Sequence, residues 1–103
     1  MSRDEVRLGR LHLDINARQL ARDGVPIALS SRAFDILCVF AAAQGEVVTK
    51  DELMSRVWPG LVVDENTIRV HVSALRKALG EGESGEAYVL TVPVRGYRLI
   101  GGN

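Results

Sequence analysis

Apolar and polar residues alternate at the start of the chain. Val6-Arg7-Leu8 and Leu11-His12-Leu13-Asp14-Ile15 place apolar side chains at every second position, the period of a half-buried strand. Gly9 interrupts the alternation and is expected to mark a bulge. Gln19–Arg22 and Val25–Leu29 flank Asp23-Gly24, a dipeptide suited to a two-residue hairpin turn. Pro26 has no N–H for a ladder, so its strand should be an edge or begin there. Residues 1–29 therefore predict a small antiparallel sheet covering something apolar.

The period then changes. From Ala33 to Ala43 only Asp35 is polar, so the spacing predicts a helix buried on more than one face, between the sheet and the helices that follow. Ser30 or Ser31 can cap its start and Gly45 its end. After the short extended piece Glu46-Val47-Val48, Thr49-Lys50-Asp51-Glu52 reads as a capping box, each side chain meeting a backbone donor at the helix start. The helix it opens carries Leu53, Met54, Val57 and Trp58 on one face, and Pro59-Gly60 ends it.

Asp64 is a suitable cap for a third helix, 64–79, with Ile68, Val72, Leu75 and Leu79 inward. Its other face offers Asn66, Thr67, Arg69, Val70, Ser73, Arg76 and Lys77. Gly80–Ala87 is an acidic, glycine-containing connection. Tyr88–Val92, a turn at Pro93-Val94-Arg95-Gly96 and Tyr97–Ile100 predict a closing β-hairpin. No repeat or linker divides the chain, so residues 1–103 read as one domain: sheet 1–29, helical core 30–80, hairpin 88–100.

Composition adds little to this outline. Apolar residues make up 47% and charged residues 25%, both ordinary for a globular domain. The start of the chain has no signal-peptide pattern and no stretch is long enough to span a membrane, which fits a cytoplasmic protein. A single Cys38 cannot form an intrachain disulfide, as suits a reducing compartment. Charge changes the picture more. The net charge is +0, which argues against broad affinity for nucleic acid. Yet residues 66–79 contain Arg69, Arg76, Lys77 and no acid, and residues 88–103 contain Arg95, Arg98 and no acid. The acids gather at 30–65 and at Glu81, Glu83 and Glu86. Two local basic surfaces suit a salt-sensitive grip on phosphates.

Two short helices joined by a tight connection, the second with a polar and basic outer face, form the helix-turn-helix arrangement. An α-helix fits the major groove of B-DNA, where Asn and Arg read base edges. A hairpin tip with an arginine can reach the negative potential of a minor groove. The plain alternative for Arg69, Arg76 and Lys77 is a solvated helix face, and for Arg95 a solvated turn.

Longer strings are more specific. They comprise Leu29–Leu37, Gly45–Leu53, Val57-Trp58-Pro59, Thr67–Leu79 with its Val70-His71-Val72 and Leu75-Arg76-Lys77 core, and Thr91–Leu99 ending Gly96-Tyr97-Arg98. In this order and spacing the chain resembles the OmpR/PhoB family of winged-helix effector domains. The resemblance implies an α+β winged helix-turn-helix: a four-stranded N-terminal antiparallel sheet, three helices and a C-terminal β-hairpin wing. It implies sequence-specific binding of double-stranded DNA by a bacterial transcriptional regulator, with helix 64–79 in the major groove and wing 91–98 at the minor groove. Trp58-Pro59-Gly60 is similar to members that carry the domain at the N-terminus rather than behind a receiver domain.

By the same resemblance, Asn66, Thr67, Val70, Ser73 and Ala74 match positions facing bases or nearby backbone, and Arg76 matches a phosphate contact. Lys50 and the indole N–H of Trp58 match further phosphate contacts, and Thr91 and Arg95 belong to the wing. The loop containing Pro59, Gly60, Leu61 and Val62 matches one that touches RNA polymerase in some relatives. The domain is expected to be a monomer alone and a head-to-tail pair on direct-repeat DNA. Two departures stand out. Ser73 and Ala74 occupy positions where arginines are frequent, with Arg69 one turn earlier as a substitute, and Val94 replaces a common glycine.

Other residues carry blander expectations. His71 lies on the inward side of its helix as a structural histidine, since only His12 and Cys38 could join it on a metal. Cys38 is expected to be a buried, unreactive thiol. No nucleophile–base pair, metal spacing or phosphate loop suggests an enzyme, and no cofactor is expected. The zero net charge and the missing arginines keep one alternative open, a winged helix that binds protein and has lost DNA.

Overall fold

The computed structural model describes residues 5–80 and 88–100. Four strands open it: β1 (Glu5–Leu8), β2 (Leu11–Asp14), β3 (Gln19–Arg22) and β4 (Val25–Ile27), paired antiparallel in sequence order. Leu8 pairs with Leu11, Leu13 with Leu20, and Leu20 with Ile27, so one face of the sheet is apolar and enters the core. Gly9 is not a bulge. With φ +60° it sits in the two-residue connection between β1 and β2, where a positive φ matches the twist of the hairpin. Asp23 and Gly24 are both at positive φ, as an Asp-Gly hairpin turn requires, and Pro26 lies on the edge strand β4.

Helix α1 (Ser31–Ala42) starts from Ser30, whose hydroxyl accepts from Ala33 N at 3.3 Å. It buries Phe34, Ile36, Leu37 and Phe40 and packs against the two later helices. It stops short of Gly45: Gln44 and Gly45 both turn through positive φ. Arg18, in the β2–β3 turn, lies over the Phe34 ring and pairs with Asp35 at 2.9 Å, tying the sheet to α1. Cys38 is half-buried rather than buried, because it lies at the margin of the α1 contact; desolvation still raises its pKa.

Strand β5 (Val48–Thr49) leads into α2 (Lys50–Val57), and the capping box between Thr49 and Glu52 is present in both directions. Helix α3 (Glu65–Ala78) is capped by Asp64, which accepts from Thr67 N at 2.9 Å. Strands β6 (Val89–Val92) and β7 (Gly96–Leu99) form the terminal hairpin. The hairpin is wider than its own two strands: β5 pairs with β7, making a three-stranded sheet in the order β5-β7-β6. The acidic segment 81–87 lies outside the described residues. A single apolar cluster joins both sheets and all three helices, and it includes Trp58, Tyr88 and Tyr97.

Candidate nucleic-acid interface

Helix α3 divides cleanly. Ile68, Val72 and Leu75 are buried, which turns Asn66, Arg69, Val70, Ser73, Ala74 and Lys77 to solvent along one stripe. Val70 is 56% exposed, although the rest of its residue type in this helix is core. The N-cap holds this face in place. Asp64 accepts from both the backbone N–H and the hydroxyl of Thr67, and these bonds hold its carboxyl below the usual carboxylate range. Thr67 is thus half-buried with its hydroxyl engaged inside the helix start.

The far end of α3 is fixed by two arginines. Arg22, on the inner face of the first sheet, reaches across to donate to Leu79 O, one of the carbonyls a helix C-terminus leaves unpaired. Its Nε is buried without a partner among the described residues. Arg76 turns to the hairpin instead of outward. It donates to Val89 O at 3.3 Å and to the Thr91 hydroxyl at 2.6 Å, with its guanidinium 5.9 Å from the Tyr97 ring. Arg76 and Thr91 are therefore brought together as a clasp between α3 and β6, an arrangement the sequence reading did not include.

Trp58 is buried at 5% exposure, and its ring meets His71 edge-on at 5.4 Å. His71 Nδ1 lies 2.8 Å from Thr67 O, so it is a satisfied structural histidine. Arg32 donates to Val57 O and lies over the Trp58 ring, bracing the end of α2. Beyond it, the connection Trp58–Asp64 is longer than a tight helix-turn-helix turn and exposes Leu61 and Val62, the latter at 96%.

At the other end of the surface, an open cleft of about 510 Å³ lies between the starts of α2 and α3 and the hairpin tip. Lys50, Glu65, Val94 and Arg95 are among its lining residues. Glu65 pairs with Lys50 and approaches Arg69 at 3.8 Å; the Lys50 hydrogen bond is the main reason its carboxyl titrates low. Sequence reading missed Glu65. Its i,i+4 relation to Arg69 is legible, but its pairing with Lys50 depends on how α2 and α3 cross. Arg95 is exposed at the tip with no carboxylate partner among the described residues. The face so assembled is the stripe of α3 with Lys50 at one end and β6 and the tip beside it.

A family model for the C-terminal domain of transcriptional regulatory proteins matches residues 24–99. The chain belongs to this family. It is 36% identical over 101 residues to the transcriptional activator CadC of Escherichia coli, a match covering 97% of the chain and 20% of CadC. It is 37% identical over 95 residues to the phosphate regulon regulatory protein PhoB of Pseudomonas aeruginosa, covering 91% of the chain and 41% of PhoB. The chain thus spans between a fifth and about two fifths of these relatives. Among solved structures, the DNA-binding domain of E. coli CadC superposes with a TM-score of 0.83 at 35% identity, covering 97% of the chain and 94% of that domain. The DNA-binding domain of Klebsiella pneumoniae RstA, solved in complex with its RstA box, gives 0.79 at 31% identity, covering 92% and 95%. The fold is therefore the winged helix of this family, with α3 in the place of the recognition helix and β6–β7 as the wing. No helix among the described residues is long and apolar enough to cross a membrane, and no group of His, Cys, Asp or Glu among them could hold a metal ion.

Proposed function

We propose that the chain is the DNA-reading domain of a bacterial transcriptional regulator, binding double-stranded DNA with α3 in the major groove and the wing at the minor groove. The observation that carries this is the single exposed face formed by α3 and the wing, held in register by the Arg76 clasp. Asn66, Arg69, Val70 and Ser73 face the bases in this arrangement, and Arg69 is the chief base reader, because an arginine on a groove-facing turn can bond guanine in two places. Thr67 lies at the helix start against the backbone. Lys50, Lys77 and the indole edge of Trp58 meet phosphates, and Arg95 enters the minor groove. Thr91 and Arg76 act by aiming the wing.

The exposed Pro59–Val62 loop, with Leu61 and Val62 in solvent, supports a contact with RNA polymerase. Two copies are proposed to bind head-to-tail on direct repeats, as monomers that meet on DNA. A chromosomal target places the domain in the cytoplasm, and no catalytic role is proposed.

Selection of duplexes from a random pool tests the reading. The wild-type chain is expected to enrich one motif, and Arg69→Ala to relax one base pair of it, with a loss of about 1–3 kcal/mol of discrimination at that position. A pool that enriches no motif rejects DNA reading. An unchanged motif with Arg69→Ala rejects that residue's role.

A further inference from the structure

The wing tip carries a residue for which the fold itself has no use. Arg95 N donates to Val92 O at 3.1 Å, closing a turn over Val92–Arg95. Pro93 occupies the second position of that turn, where its fixed φ is suitable. Val94 occupies the third with φ +71°. This is the type II pattern, whose third position calls for glycine or asparagine, since an L side chain there crowds its own backbone. A β-branched residue is the least suited of all. The other described non-glycine residues with positive φ are Arg18, Asp23 and Gln44, none of them β-branched. Among the described residues nothing compensates: the Val94 side chain is 94% exposed and buries almost no apolar surface. Strain of this kind persists where a partner uses it. Its neighbours indicate which partner, because Val94 lines the same cleft as Lys50 and Arg95, the cations placed to meet DNA.

We propose that Val94 is a specificity-determining DNA contact, its isopropyl group set against the floor and sugar walls of the minor groove beside Arg95, where it selects A·T over G·C pairs. The inference rests on the placement of the wing proposed above. Only the guanine amino group distinguishes the pairs strongly in that groove. An apolar group against the floor denies that donor both water and an acceptor, whereas an A·T pair presents no donor there to be stranded. Apolar side chains are a general means of engaging minor grooves. The narrow groove of A·T runs also draws arginine, so Val94 and Arg95 favour the same sequences.

The test uses the whole chain and the duplex it enriches from a random pool, with a second duplex carrying G·C at the wing position. Val94→Gly and Val94→Asn both relieve the turn, and each should raise Tm by a few degrees. Each should nevertheless bind the enriched duplex about five- to tenfold more weakly and lose A·T preference at the wing position. The asparagine variant keeps a side chain of similar size on a restrained backbone, so a loosened glycine turn cannot account for both results. If either variant keeps full affinity and full A·T preference, Val94 does not touch DNA. Arg95→Ala separates the two levels of the reading. If it weakens binding while the Val94 variants do not, the Val94 assignment alone falls. If it too changes nothing, the wing is not on the DNA and both fall.

Discussion

Within the wing, two positions make opposite demands on the backbone. Gly96 begins β7 opposite both Thr49 and Val92, at φ +152°. A Cβ there would lie 2.1 Å from Val48 O, so no rotation of a side chain could relieve the clash. Val94, two residues earlier, would gain from being glycine. The same short string thus contains one glycine required by packing and one valine tolerated against it. Gly96→Ala is expected to force β5 from β7 and destabilise the fold by about 3 kcal/mol, read as a shift of the urea midpoint. Gly45→Ala makes the contrast. Its φ is +87°, but its Cβ would meet only Leu99 O at an ordinary 3.7 Å, so the cost should be the backbone term alone, about 1 kcal/mol. Equal losses for the two would show that φ, rather than the close approach of β5, decides the glycine at 96.

At the scale of elements, the recognition helix and the wing are one unit because Arg76 joins them. Arg76→Ala should lower affinity on every duplex and raise amide exchange in β6, since it removes the bonds to Val89 O and Thr91 Oγ1 together. Thr91→Val removes the hydroxyl while keeping the shape. A double-mutant cycle on stability should then give a coupling of about 1 kcal/mol between the two positions. A coupling near zero would mean that the Thr91 hydroxyl is no part of the clasp. The sequence could not show this clasp. The sequence reading put Arg76 on the outer face with Lys77; that it turns instead to Val89 O and Thr91 depends on where β6 lies. Elements themselves were largely legible, because capping and alternation are local: Asp64, the Thr49–Glu52 box and the Asp23-Gly24 turn all stand where their chemistry predicts. Glu46-Val47-Val48 was legible as a short extended piece, but its role as strand β5 was not, since Val48–Thr49 becomes a strand only against β7. Gly9 was misread as a bulge because a glycine between two alternating runs looks the same whether the chain continues or reverses.

For the whole molecule the governing fact is a net charge of +0. Affinity for a polyanion must then come from how the charges are placed, and the least obvious placement is Glu65. It lies at the start of α3, joined to Lys50 and near Arg69, and its low-titrating carboxyl is fully ionised at neutral pH. With the DNA placed as proposed above, Glu65 occupies, beside Lys50, the place that a phosphate would take. Binding exchanges one anion for another, so fewer counterions are released than the count of lysines and arginines suggests. The repulsion between Glu65 and the phosphates weakens all duplexes alike, which leaves a larger share of the affinity to base contacts. Glu65→Gln is therefore expected to tighten binding to the enriched duplex and to a scrambled one, most at low salt, and to steepen the slope of log K against log salt by about one. Lys50→Ala should move both quantities the other way. Loss of an acid from the first turn of α3 costs some helix stability, so melts of each variant must accompany the titrations. If Glu65→Gln leaves affinity and slope unchanged at every salt concentration, Lys50 does not meet a phosphate, and the DNA lies elsewhere on the face.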